Sequence, residues 1–215
     1  MAYQLSTLVD EIIDKSKDST FSRTRVATYI QHTQDLVLGR YRFKFNEKQS
    51  STALNIGDAT STPSTPYQSI LGLVLSHIDL AQPAQPEYMT PDSFFETFPS
   101  PQTQPQGLPR YYTDFGGIIY WSCPLDKEYS LGLRYQAVPK RLSADTDVPD
   151  IPEEFSDLLI NGGLAGVEEY RGNFDIAAVH EREVEDLSRD LLARYGLRKM
   201  QPGKVKSTRF HRGQI

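Results

Sequence analysis

Residues 150–195 constrain this chain most, because they read as a helical pair with three glycines set into its first member. Pro152 suits the first turn of a helix, where its missing N–H costs nothing, and Asp150 before it is a candidate N-cap. Glu153 and Glu154 follow where the helix dipole favours negative charge. Phe155, Leu158, Leu159, Gly162 and Gly166 then fall on one stripe. Each of Gly162, Gly163 and Gly166 costs an exposed helix interior roughly 1 kcal/mol relative to Ala. Their clustering predicts a face on which another backbone packs closely. Arg171-Gly172-Asn173 breaks the helix, and Asn173 can cap a second one. Phe174, Ala177, Ala178, Val184, Leu187, Leu191 and Tyr195 lie along one face of it, and Gly196 ends it as a C′ glycine would. The expected unit is an antiparallel helical hairpin on which the remainder packs.

Two more helices are expected upstream. Leu5, Leu8, Val9, Ile12 and Ile13 follow the helical repeat and predict a helix over 3–15. Ser22 is a good N-cap for a second, running to about Tyr41, with Val26, Ile30, Thr33, Val37 and Tyr41 as its stripe, widened by Tyr29 and Leu36. Two helices from each end of the chain suggest a four-helix packing. Between them the helical period gives way to short β-prone runs: 43–45, 53–56, 70–78, 117–122 and 129–138. In the last, Tyr129, Leu131, Leu133 and Tyr135 alternate with polar or small residues. With turns at Gly116-Gly117 and at Pro124-Leu125-Asp126-Lys127, residues 117–138 read as a β-hairpin. Thr90-Pro91-Asp92-Ser93-Phe94-Phe95-Glu96 reads as a capped short helix, and 60–66 and 99–109 as long polar loops suited to recognition. The fold expected is α+β: an antiparallel bundle of four main helices (1–42 and 150–196), an inserted small all-β domain (43–149) and an extended C-terminal tail (197–215).

Composition narrows the class. Hydrophobic residues make up 38% of 215, and no run of 18 apolar residues predicts a membrane span. The first residues lack the basic and apolar regions of a signal peptide, and the one cysteine, Cys123, excludes an intramolecular disulfide framework; both fit a chain made in a reducing cytoplasm. The formal charge of −5 conceals an asymmetry. Arg198, Lys199, Lys204, Lys206, Arg209 and Arg212 stand in the last 19 residues with no Asp or Glu, leaving 17 basic against 28 acidic side chains elsewhere, a body of −11. An acidic body with a basic tail predicts that the tail meets something anionic.

No catalytic constellation emerges. His180 and Glu183 have metal-pair spacing but read far better as solvated charges on an amphipathic helix, and Cys123 has no His or Lys nearby in sequence to activate it. Glu153-Glu154 and Glu168-Glu169 are adjacent pairs, which do not converge on one bond as glycoside hydrolysis requires. Asp145, Asp147 and Asp150 lack the Gly and closing Glu of an EF-hand. The aromatics from Phe94 to Tyr135 have only Arg110, Lys127 and Arg134 among them, too few cations for a nucleic-acid platform, so they read as core and subunit-interface packing. No cofactor and no metal are expected.

The order of these pieces resembles the head-to-tail adaptor (connector, or head-completion) proteins of tailed bacteriophages. The resemblance is carried by residues 18–21 before the second helix, by Thr90-Pro91-Asp92-Ser93-Phe94, by Gly107-Leu108-Pro109-Arg110-Tyr111-Tyr112 and by Pro124-Leu125-Asp126-Lys127-Glu128-Tyr129. It continues through Leu133-Arg134-Tyr135, Pro139, Leu142-Ser143 and the run from Asp145 to Pro152, covering roughly 3–195. Where such proteins often have Tyr-x-Leu-Pro, this chain has Pro66-Tyr67-Gln68-Ser69.

The resemblance implies a structural, non-enzymatic virion protein of the phage neck, assembled in the host bacterial cytoplasm. It implies a ring, typically of twelve copies, that binds the portal protein, extends the DNA channel and offers a platform to tail proteins (nozzle, tail tube or fibre). Genomic DNA then passes without specific binding, and no membrane is involved. The isolated chain is expected to be a monomer or weakly associated, because low apolar content argues against a large obligate interface. Taken alone, the tail has no apolar period and is expected to be disordered. On assembly it is expected to order against the portal, or the neighbouring subunit, as a portal-binding arm through Arg198, Lys199, Lys204, Lys206, Arg209 and Arg212, anchored by Phe210, while Gly162, Gly163 and Gly166 form the close-packing helix face. Two other readings compete: a nucleic-acid-binding module using the basic arm, and a virion-associated cell-wall hydrolase.

Overall fold

The structure, a computed structural model, describes residues 3–196 and is α+β. Five helices are present among them: α1 (Leu5–Lys15), α2 (Arg23–Arg40), α3 (Pro91–Thr97), α4 (Ser156–Arg171) and α5 (Phe174–Tyr195). Seven strands lie between α2 and α4 in sequence: β1 (Glu47–Leu54), β2 (Thr60–Ser61), β3 (Tyr67–Ser76), β4 (Glu87–Tyr88), β5 (Tyr111–Phe115), β6 (Ile118–Trp121) and β7 (Tyr129–Ala137).

The apolar stripes of the helices meet in one core. Leu5, Leu8, Val9 and Ile12 of α1 face Val26, Ile30 and Val37 of α2 and Leu158, Leu159 and Val167 of α4, with Leu191 of α5 closing it. Helix α4 packs against each of the other three. The residues after β7 return along the helices, and their carbonyls complete α1: Asp147 O and Asp145 O accept from the N–H groups of Leu5 and Ser6 at 2.8 and 3.0 Å. That satisfies donors a helix start otherwise leaves open.

A second core lies between two sheets. The first has the order β1-β7-β3, antiparallel, with Glu47 opposite Gln136 and Leu54 opposite Tyr129. Tyr129, Leu131, Leu133 and Tyr135 are all buried, as their alternation predicts. The second has the order β2-β6-β5-β4, with β4 and β5 parallel. Leu54, Leu73, Leu75, Tyr112, Ile119, Trp121 and Leu125 fill the space between them. Buried amides join the two cores: Gln136 Nε2 donates to Phe43 O at 2.8 Å, and Asn46 Nδ2 to Ala137 O at 2.8 Å.

Several sequence expectations are corrected. Residues 117–138 are not one hairpin, because β6 and β7 belong to different sheets. The hairpin is β5–β6, turned by Gly116 and Gly117 at φ 63° and 77°, both in the range that a two-residue type I′ turn demands. Residues 43–45 are not a strand. Phe43 makes one bridge to Gly196, and Lys44–Asn46 is a 3₁₀ turn that stacks Phe45 on Phe43, ring centroids 5.1 Å apart. The strand expected at 53–56 ends at Leu54 and begins at Glu47. The stretch 43–149 is not all-β, since it holds α3 and two 3₁₀ turns, and 60–66 includes β2.

Asp150 does not cap α4. Its carboxylate accepts from Lys140 N–H at 2.6 Å, and a 3₁₀ turn, Glu153–Phe155, leads into the helix instead. Gly196 is no left-handed C′ residue (φ −61°, ψ 142°); it is glycine because a Cβ there would strike the Leu192 carbonyl. Leu36, Phe174 and Ala178, assigned to apolar stripes, are exposed.

Candidate interaction surfaces

The groups with catalytic potential are engaged in structure. His180 Nδ1 lies 3.0 Å from Asn161 Oδ1 and 4.0 Å from Glu183. The Cys123 thiol, pushed up in pKa by burial, sits 3.5 Å from the Gly107 carbonyl. Asp147 accepts from the Ser143 and Ala144 N–H groups at 2.8 Å each and from Lys140 Nζ at 2.9 Å, which together hold its carboxyl well below the usual range. Glu154 bonds Tyr195 Oη, and Glu168 accepts from Arg171 and Asn173. Among the described residues no group of three His, Cys, Asp or Glu is placed to hold a metal. No described helix is long and apolar enough to cross a membrane.

The aromatic residues interlock edge to face. Phe95 meets Tyr120 at 5.2 Å and Phe94 at 5.5 Å, and Tyr112 links Tyr88 to the buried Trp121. This packing holds α3 against β5 and β6.

The three glycines of α4 lie where neighbouring side chains come close. A Cβ on Gly162 would fall on Thr33, on Gly163 on Ile12, and on Gly166 on the ring of Tyr29. The close neighbours are side chains of α1 and α2 rather than another backbone. Beyond them α2 and α5 diverge, leaving a groove of about 610 Å³ floored by Gly162, Ala165 and Gly166.

A clamp the sequence did not announce fixes the C-terminal end of α4. Arg171 donates to Glu168 at 2.7 Å, Asp18 at 3.0 Å and Ser16 O at 3.2 Å, locking the α4–α5 turn to the α1–α2 loop. Asp18 and Ser16 are 153 and 155 residues away in sequence, so no local pattern reveals them as partners. Nearby, Tyr170, Phe174, Ile176 and Val179 are each exposed.

The end of the β1-β7-β3 sheet away from Phe43 is a hydrogen-bonded tip. Gly57 N–H donates to Leu125 O and Leu125 N–H to Asp58 O, while Lys127 Nζ lies 2.6 Å from Asp79. Two isoleucines stand out from it: Ile78 is 94% exposed and Ile56 56%. The basic arm, Arg198 to Arg212 with Phe210, lies outside the described residues.

A comparison with curated proteins finds no match. A family model described as SU10 adaptor protein matches residues 3–206, nearly the whole chain, which therefore belongs to the SU10 adaptor family and is a structural protein of a bacteriophage virion.

Proposed function

We propose that this chain is the head-to-tail adaptor of a tailed phage: it assembles on the portal as a ring of twelve copies, extends the DNA channel and presents a docking platform to tail proteins. The observation that carries the reading is the adaptor-family match across residues 3–206. The acidic body agrees with it, because a negative channel wall repels DNA and lets it slide. In this reading 1–42 and 150–196 form one helical domain toward the portal, and 43–149 an inserted domain whose tip meets the tail. Residues 197–215 are the portal-binding arm, with Arg198, Lys199, Lys204, Lys206, Arg209 and Arg212 pairing with acidic portal groups and Phe210 anchoring.

Truncation after Gly196 tests the reading. The shortened protein is expected to fold normally and to fail to co-sediment with portal rings; retention of full binding would move the contact from the arm to the helices. Native mass spectrometry of the isolated chain at about micromolar concentration is expected to show monomer, with rings forming only when portal is added.

A further inference from the structure

We propose that the groove between α2 and α5 holds this chain's own C-terminal arm, residues 197–215, in the unassembled subunit. The proposal rests on the reading of that arm as the portal contact: the groove stores the segment that the portal later takes.

Three observations converge on it. The groove is apolar along Leu36, Val37, Ala165 and Val184, with Thr33 and Tyr29 covering Gly162 and Gly166, and Glu169, Glu181 and Glu185 line it as well. Among the described residues no cation lies within ion-pair range of Glu169 or Glu181, and Glu185 has only the exposed Arg189 at 3.5 Å. Arg40, at one end, is the groove's one Lys or Arg. The arm has the complementary composition, six Lys or Arg with no acid, and Phe210 to lay on the apolar residues.

The chain is also aimed there. Gly196 pairs antiparallel with Phe43, so the backbone leaving Gly196 heads toward Arg42 and Tyr41, and Tyr41 with Arg40 forms that end of the groove. From Tyr41 back to Thr28 the groove follows α2 for roughly 20 Å at about 1.5 Å per residue. Nineteen residues reach up to about 60 Å when extended, which leaves slack for a turn at Pro202-Gly203. Tethering makes the arm's effective concentration at this groove high, so a portal ring must compete for it, and free subunits do not engage each other's arms.

The full-length protein tests this by limited trypsin digestion at low salt, beside the variants Glu181→Lys/Glu185→Lys and Phe210→Ala. Glu181 and Glu185 are exposed, Phe210 lies beyond the described residues, and thermal melts confirm that each variant is folded. Cleavage after Lys204, Lys206 and Arg209 is expected to be about tenfold slower in the parent than in the charge-reversed variant, with Phe210→Ala also faster than the parent. Equal rates in all three overturn the proposal. The protection is expected to be unchanged between about 1 and 100 μM protein, as an intramolecular contact requires. Protection that rises with concentration overturns it in favour of an arm seated on a second copy. Portal co-sedimentation separates this proposal from the reading beneath it. An arm cleaved freely in the parent, whose truncation still abolishes portal binding, removes the groove and keeps the portal contact. A protected arm whose truncation leaves portal binding intact does the reverse.

Discussion

Gln34 on α2 accepts the backbone N–H of Asp150 at 2.8 Å and donates to the Lys140 carbonyl at 2.9 Å, with its side chain fully buried. One amide thus holds both ends of the segment that returns from the sheets to the helices. Gln31 Oε1 adds a bond from Leu142 N–H at 2.6 Å. Replacing Gln34 with Leu removes the partner of the part-buried Asp150 N–H and of the part-buried Lys140 carbonyl, at up to about 1–3 kcal/mol each. Gln34→Leu is expected to lose roughly 2–4 kcal/mol, a fall in Tm of roughly 5–15 °C. Thermal unfolding followed by circular dichroism measures it, and a shift of under about 2 °C would mean the return segment is held elsewhere.

The glycines of the helices are not equivalent. Gly163 faces Ile12, and a methyl group there has no space; Gly39, near the end of α2, has nothing within 4 Å of the same position. Gly163→Ala is therefore expected to cost about 1–3 kcal/mol through overpacking. Gly39→Ala is expected to gain roughly 0.5–1 kcal/mol from helix propensity. Urea midpoints of the two variants should move in opposite directions. If both rise, the α4 face has slack that the close contacts do not suggest.

Asp147 makes stability pH-dependent with a definite sign. Hydrogen bonds from the Ala144 and Ser143 N–H groups, then Lys140, depress its folded pKa below the unfolded value of about 3.9. The stabilisation is therefore fully present above that unfolded value and is lost as pH falls toward the folded one. Asp147→Asn is expected to be less stable than the parent at pH 7, with the gap narrowing between about pH 4 and pH 2. Urea titrations across that range measure it, and a gap that stays constant would show that the charge on Asp147 contributes nothing.

What was legible in the sequence follows from where each element is buried. The four long helices each bury one stripe against one core, so a 3.6-residue period survives, and β7, covered by strands on both sides, shows clean alternation. β1 was largely missed because it is an edge strand whose residues 47–52, Glu-Lys-Gln-Ser-Ser-Thr, are polar on both faces. β6 and β7 were joined wrongly because a turn at 124–127 looks the same whether it closes a hairpin or carries the chain from one sheet to another. Phe43 and Phe45 carry β-prone side chains, yet their rings pack into the helical core with Tyr195, a tertiary preference no local propensity encodes. The α4 glycines were visible as a packing face, but the groove beside them depends on how far α2 and α5 diverge, which no single helix specifies.

Ile78 and Ile56 give the tail-facing end of the proposed neck a specific test. Both project from a tip pinned by backbone hydrogen bonds and the Lys127–Asp79 pair, at the end of the sheet farthest from the bridge between Phe43 and Gly196. Neither side chain contributes to the buried cores, so Ile56→Ser/Ile78→Ser is expected to keep stability within about 1 kcal/mol of the parent. A tip offering two exposed isoleucines is suited to anchor in an apolar pocket, where truncating such a group costs more than about 1 kcal/mol of binding. The double variant is expected to co-sediment with portal rings as the parent does, and to join purified tail proteins at least about tenfold less tightly. Portal binding lost with tail joining intact would turn the molecule end for end in the neck, with the strands toward the portal and the helices toward the tail.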